Sequence, residues 1–247
     1  MASWTKSKVI DNYRWTDELT SLVIDTSLEG FESGQFIRVG LHVDDTVLAR
    51  PYSLVNTPQD KHLEVYFNIV EEGPLSPLLF ALKTGDEILV ADKPSGFLTI
   101  SEVPESKHLW LMATGTGIGP FLSILKSEAV WQKFEQVILV YSVRTQAEMA
   151  YREMIEEIDI KHPDQFCFIP TITRENHQYS LRNRIPESIK NGDLETRAGV
   201  ELSGENSHVM LCGSSDMIAD VRKELENRGM RKHLRRVPGH FTTEKYH

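Results

Sequence analysis

The period of the apolar residues changes near residues 102–107, and the change divides the chain. Before it, short β-like runs at 8–13, 19–25, 35–43, 52–55, 63–70 and 87–91 are punctuated by turn formers such as Ser33-Gly34 and Thr84-Gly85-Asp86. Leu63-Glu64-Val65 alternates with the period of a half-buried strand, so this half predicts a small antiparallel β-barrel. Beyond it, strand-like runs at 109–113, 137–143, 166–171 and 208–212 alternate with helical ones. Met154, Ile155 and Ile158 line one helix, and Ile218, Val221 and Leu225 another. Such alternation predicts a parallel α/β sheet with helices on both faces. The expected organisation is two domains, 1–103 and 104–247, with no internal repeat and no low-complexity linker.

Composition narrows the function. A net charge of −9 argues against non-specific nucleic-acid binding. Arg228, Arg231, Lys232, Arg235 and Arg236 run against that average, which fits either a dock for an acidic partner or a solvated helix end. The two cysteines, Cys167 and Cys212, have no metal-ligand spacing, so reduced thiols and no bound metal are expected. No apolar run is long enough to span a bilayer, and no cleavable leader is evident, which predicts a cytoplasmic protein without membrane contact.

Two segments carry candidate chemistry. His108-Leu109-Trp110-Leu111-Met112-Ala113 reads as a strand running into Thr114-Gly115-Thr116-Gly117-Ile118-Gly119-Pro120 and then a helix. Glycines there let backbone N–H groups and a helix N-terminus approach a diphosphate, and Pro120 suits a first helical turn. The loop departs from G-x-G-x-x-G, because its third glycine comes one residue early; a structural turn is the competing reading. In Arg50-Pro51-Tyr52-Ser53 a guanidinium suits a phosphate, a ring suits a flat heterocycle, and a hydroxyl donates or accepts. Arg50 and Tyr52 would share one strand face with Ser53 opposite, and Pro51 suggests an edge. Ligands of an open parallel sheet sit beyond the carboxyl ends of its strands. There the chain places Arg144, where an NAD-specific fold has a carboxylate, with Arg174, Arg182 and Arg184 further on and Glu148 as a possible competitor for Arg144.

Taken together, Arg50-Pro51-Tyr52-Ser53, Gly73-Pro74-Leu75-Ser76, the Ala113 to Pro120 glycine segment and Leu211-Cys212-Gly213-Ser214 resemble the ferredoxin–NADP reductase family in order and spacing. The likeness is greatest to its bacterial branch and extends to Lys232-His233-Leu234-Arg235-Arg236-Val237-Pro238-Gly239-His240. The resemblance implies an FAD-binding barrel followed by an NADP-binding α/β domain. It implies FAD held by Arg50, Pro51, Tyr52, Ser53, Tyr66, Pro74, Leu75, Ser76 and Thr116. NADP would contact Arg144, Thr173, Arg174, Arg184, Ser214, Ser215, Asp216 and Asp220. Ser53 and Cys212 would lie at the reacting centre. Outside the family, an outward strand tyrosine at 66, a solvated carboxylate at 220 and a small buried hydrophobe at 212 are the ordinary readings. The implied activity is hydride exchange between NADPH and FAD, and single-electron exchange with a small acidic ferredoxin or flavodoxin, by a monomer. Many relatives end in an aromatic residue, whereas this chain ends Lys245-Tyr246-His247, so the expected stacking partner for FAD is Tyr246, with His247 a weaker platform and Phe241 a remoter one. The alternatives are a flavin reductase component of an oxygenase system and a non-catalytic electron-relay subunit.

Overall fold

The computed structural model describes residues 3–245. The chain forms two compact units: residues up to Thr99 together with Gly119–Ser127, and Ile100–Ile118 together with Glu128 onward.

In the first unit the strands are β1 (Trp4–Arg14), β2 (Leu19–Ile24), β3 (Phe36–Val43), β4 (Thr46–Ser53), β5 (Leu63–Asn68) and β6 (Glu87–Ala91), with helix α1 (Ser76–Ala81) between the last two. Their order is β4-β3-β6-β1-β2-β5, and every pairing is antiparallel. A bridge between Leu54 and Val65, with the Val55 N–H donating to the Glu64 carbonyl at 2.9 Å, joins the two ends of that order. The sheet therefore closes into the expected barrel, around Leu22, Ile24, Ile37, Val39, Leu54, Val65, Ile88 and Val90. Strand β4 starts earlier than the sequence suggests. Its start is set by a turn in which Asp44 and Asp45 both have positive φ (47° and 61°), a conformation that glycine adopts freely and asparagine and aspartate more readily than other residues. Pro51 is tolerated because the bonds that close the barrel fall beyond it, at Leu54 and Val55, and do not need its missing N–H.

Helix α2 (Gly119–Lys126) packs with this barrel. Its Ser123 hydroxyl donates to the Asn56 carbonyl at 2.6 Å, and its Lys126 ammonium lies 3.7 Å from Asp60.

In the second unit, β7 (His108–Thr114), β8 (Gln136–Val143), β9 (Phe166–Ile172), β10 (Ser207–Gly213) and β11 (Phe241–Lys245) form a wholly parallel sheet in the order β11-β10-β7-β8-β9. Helices α3 (Glu128–Lys133), α4 (Arg152–Lys161), α5 (Ile185–Lys190), α6 (Asp193–Ala198) and α7 (Ser215–Asn227) complete it. Trp110 and Met112 join Ile185, Ile189, Ile218 and Val221 in one core, while Leu109 and Leu111, on the opposite face of β7, are also fully buried. Burial on both faces explains the unbroken apolar run of this strand. The α7 stripe is buried as its spacing predicts; in α4, Ile155 and Ile158 are buried and Met154 is half-buried. Strand β11 was not legible, because only Phe241 of its five residues is buried.

Among the described residues no helix is long and apolar enough to cross a membrane, no group of acids, cysteines and histidines could hold a metal ion, and neither Cys167 nor Cys212 forms a disulfide.

Candidate functional site

On β4, Arg50 and Pro51 are exposed, Tyr52 is half-buried and Ser53 is buried. Arg50 donates from Nη1 to the Ala49 carbonyl at 2.9 Å and forms no ion pair among the described residues. Its charge is therefore available to an anion. The Tyr52 ring packs at 59° to Phe67 with centroids 5.3 Å apart. Burial pushes its phenol up to about 12, against a weaker opposing pull from Arg50, so at neutral pH the group is an uncharged donor.

The Gly73-Pro74-Leu75-Ser76 segment leads into α1. The Gly73 N–H donates to the Val70 carbonyl at 2.8 Å, and the Ser76 hydroxyl accepts the Val70 N–H at 2.9 Å. That hydroxyl is committed to shaping the loop; Leu75 and Ser76 offer main-chain N–H groups of a first helical turn, which lack intrahelical acceptors. Pro74, which is exposed, has no N–H to offer. At the far end of α1, Asn12 Nδ2 donates to the carbonyls of Phe80 (3.1 Å) and Leu82 (2.7 Å), and the Arg14 guanidinium lies 3.2 Å from the centre of the Phe80 ring. The helix is thus fixed by β1. A guanidinium with main-chain donors suits a diphosphate, and the Tyr52 ring suits a flat heterocycle, so the residues present fit a flavin dinucleotide. Tyr66 is buried, not outward as an isolated strand reading has it, with the Trp15 ring edge-on at 6.5 Å.

In the second unit the chemistry lies beyond the strand ends. Thr116 is half-buried in a 3₁₀ turn over Gly115–Ile118. A Cβ on Gly117 would come 2.3 Å from the Cys212 carbonyl oxygen, and one on Gly213 would come 2.1 Å from Thr114 Oγ1. These glycines let the loops after β7 and β10 touch. The Ser214 N–H donates to Thr114 Oγ1 at 3.0 Å, and the Ser214 hydroxyl caps α7 by accepting the Met217 N–H at 3.3 Å. Ser215, Asp216 and, one turn on, Asp220 are exposed, while Cys212 is fully buried. Thr114 belongs to the glycine segment picked out in the sequence, but its bond to Ser214 was not legible there, since the two lie a hundred positions apart.

Arg144 follows β8 and Arg174 follows β9. The strand pairing continues past both ends: the Thr173 N–H donates to the Val143 carbonyl at 3.1 Å and the Arg174 N–H to the Arg144 carbonyl at 2.8 Å. Arg144, Thr173 and Arg174 are thereby brought together. Arg184 opens α5, and Arg182 is exposed in the preceding loop. Arg144, Arg174 and Arg184 are exposed and, among the described residues, form no ion pair. Glu148 does not occupy the Arg144 side chain; its carboxylate accepts the Arg144 main-chain N–H at 3.1 Å. Three available guanidinium groups are the donor set a phosphate monoester needs.

The basic C-terminal stretch is divided. Arg228 pairs with Glu195 at 2.9 Å and donates to the Leu202 and Ile189 carbonyls, and Arg235 pairs with Glu102 at 3.0 Å. Arg231, Lys232 and Arg236 are exposed without an ion pair among the described residues. Tyr246 and His247 lie outside the described residues.

Comparison with known proteins identifies relatives of this chain. The family model "Oxidoreductase NAD-binding domain" matches residues 111–223. The chain is 41% identical, over the full length of both, to the flavodoxin/ferredoxin–NADP reductase of Shigella flexneri. It is 32% identical to the ferredoxin–NADP reductase of Azotobacter vinelandii, covering 99% of this chain and 98% of the other. The crystal structure of a ferredoxin NADP+ reductase from Neisseria gonorrhoeae, with bound FAD and NADP, superposes with a TM-score of 0.94 at 31% identity over 99% of each chain.

Proposed function

We propose that this chain, which belongs to the flavodoxin/ferredoxin–NADP reductase family, transfers hydride between NADPH and FAD and single electrons between FAD and a ferredoxin or flavodoxin. FAD, when bound, supplies the exchange between two-electron and one-electron chemistry. The protein's share is to bind, orient and donate hydrogen bonds.

In this reading residues 1–103 are the FAD domain and 104–247 the NADP domain. Arg50 and the Leu75 and Ser76 N–H groups take the diphosphate, while Pro51, Pro74, Tyr66 and Thr116 border the dinucleotide. Tyr52 lies against the flavin ring as a neutral phenol, and Ser53 offers its hydroxyl at the flavin N5 edge. Arg144, Arg174 and Arg184 take the NADP 2′-phosphate, with Thr173, Ser214, Ser215, Asp216 and Asp220 along the rest of the nucleotide and Cys212 near the nicotinamide. Tyr246 and His247 pack on FAD. The protein acts as a cytoplasmic monomer, and exposed Arg231, Lys232 and Arg236 meet the acidic carrier.

The observation that carries this reading is the set of available guanidinium groups after β8 and β9, in a chain matching these reductases end to end. The test is stopped-flow reduction of the purified yellow protein by NADPH and by NADH, followed by reoxidation with ferredoxin and flavodoxin and identification of the flavin released by heat. FAD, a preference for NADPH and rapid reoxidation by either carrier are expected. Bound FMN, or reduction by NADH as fast as by NADPH, would overturn the reading.

A further inference from the structure

Two carboxylates stand where simple electrostatics would not put them. Glu148 and Glu175 flank the arginines that follow β8 and β9, at the place where a phosphate dianion is expected, yet neither pairs with a guanidinium among the described residues. Each instead accepts a main-chain N–H. Glu148 Oε2 takes that of Arg144 at 3.1 Å, and Glu175 Oε2 takes that of Gln146 at 2.7 Å.

These bonds close a frame. Glu148 lies in a short 3₁₀ turn, Gln146–Glu148, whose N–H donates to the Thr145 carbonyl at 3.2 Å, and its own carbonyl accepts the Tyr141 hydroxyl at 3.3 Å. The Glu148 side chain therefore folds the turn back onto the Arg144 main chain. Glu175 directly follows Arg174, whose N–H donates to the Arg144 carbonyl at 2.8 Å, so its bond to Gln146 ties the loop after β9 to the loop after β8. The frame ends at Tyr151, a buried residue with φ 59°. A bulky residue holds that conformation only where its surroundings over-determine it.

We infer that Glu148 and Glu175 are positioning residues for NADP specificity: they fix the backbone that carries Arg144 and Arg174, and so favour the 2′-phosphate despite sharing its sign. The inference rests on the 2′-phosphate reading given above and adds two acids to it. Two explanations make opposite predictions. If the acids act only through their charge, removing either relieves repulsion and tightens binding of a 2′-phosphorylated nucleotide. If they act as a frame, removing the acceptor loosens the arginines and weakens it, whereas glutamine keeps an acceptor oxygen and restores it.

The experiment is calorimetric titration of the FAD-loaded protein with 2′,5′-ADP and with 5′-AMP, for wild type, Glu148→Ala, Glu175→Ala and the corresponding Gln variants, which needs no turnover. Each Ala variant should bind 2′,5′-ADP about fivefold to tenfold more weakly, the loss of roughly one hydrogen bond, with 5′-AMP unchanged and the Gln variants within about twofold of wild type. Glu175 is exposed, so its variants report even if Glu148→Ala fails to fold. Ala variants that bind 2′,5′-ADP as well as or better than wild type, or equal losses with both nucleotides, overturn the frame. Wild type that does not prefer 2′,5′-ADP over 5′-AMP overturns the 2′-phosphate reading itself, and the inference with it.

Discussion

The barrel unit and the sheet unit use their strands in opposite ways. In the barrel, β4 itself bears the candidate ligand groups, and the period of two sends Arg50 outward while Ser53 is buried. In the parallel sheet, β7 and β10 are buried almost throughout, so their side chains, apart from those at the carboxyl ends, are given over to the core. The groups that remain, Thr114, Arg144, Thr173 and Ser214, sit at or just beyond the strand ends. One architecture places chemistry along a strand, the other beyond it, and their vulnerabilities should differ accordingly.

The largest effects should come from glycines where chain segments touch. A Cβ on Gly34 of the barrel would lie 2.0 Å from the Leu98 carbonyl oxygen, at φ +101°, and one on Gly117 would lie 2.3 Å from that of Cys212. Backbone cannot yield cheaply, so Gly34→Ala and Gly117→Ala should each cost about 2–4 kcal/mol of unfolding free energy. They part in function: Gly117→Ala should weaken 2′,5′-ADP binding by about tenfold or more by displacing the β10 loop, whereas Gly34→Ala should leave it unchanged. Denaturant titration beside calorimetry checks this, and equal nucleotide losses in both variants would refute the separation.

Acid and alkali should separate the units as well. In the sheet unit, His208 is buried with Nε2 2.8 Å from Thr242 Oγ1, and its pKa is pushed down to about 3, chiefly by burial and then by His233. His240 and Lys133 also oppose its charging, while a hydrogen bond to the Gly239 backbone favours it. Its neutral form belongs to the fold, so the stability it supports is intact above the ordinary value of 6.5 and is lost as pH falls toward about 3. The loss should reach the order of a few kcal/mol, and His208→Gln should flatten it. Tyr52 has the reverse sign. Its raised pKa means stability holds below 10 and declines as pH rises through about 12, an effect Tyr52→Phe should remove. Unfolding curves across pH check both, and an unchanged acid slope in His208→Gln would count against the assignment.

Arg174→Ala should act only on the nucleotide. A charge-assisted bond to phosphate contributes roughly 1.5–3 kcal/mol, so kcat/KM for NADPH should fall about tenfold or more. The value for NADH should stay nearly constant, and so should stability, because the guanidinium forms no ion pair among the described residues. Equal losses with both nucleotides would make this arginine part of the structure and blur the contrast with the glycines.

What could be read from the sequence follows the same division. Strands buried on both faces announced themselves as unbroken apolar runs, and α7 by its spacing. The candidate ligand groups Arg144 and Arg174 stood out because a cation beyond a strand end has no packing role to explain it. The supports did not stand out. Thr114 meets Ser214, Glu175 meets Gln146 and Asn12 holds α1 only across long sequence separations, and such polar residues look solvated in one dimension. Strand β11 was hidden for a related reason: it lies at the outer end of the sheet order with most of its side chains half-buried, so no apolar period marks it.

The smallest predicted effect lies where the barrel departs from its own local rules. The β3–β4 turn places Asp44 and Asp45 at φ 47° and 61°, a backbone that favours asparagine followed by glycine. Two adjacent carboxylates also repel. Asp45→Gly should relieve the left-handed strain and one charge, offset in part by the greater freedom of glycine in the unfolded chain, for a net gain of about 0.5 kcal/mol. The sheet unit offers no matching site, because parallel strands are never joined by two-residue turns. The gain should therefore raise the midpoint of barrel unfolding slightly while affinity for 2′,5′-ADP stays fixed. A destabilised Asp45→Gly would mean that the aspartate side chains hold the turn, and that the positive φ values are a consequence of that hold and not a cost.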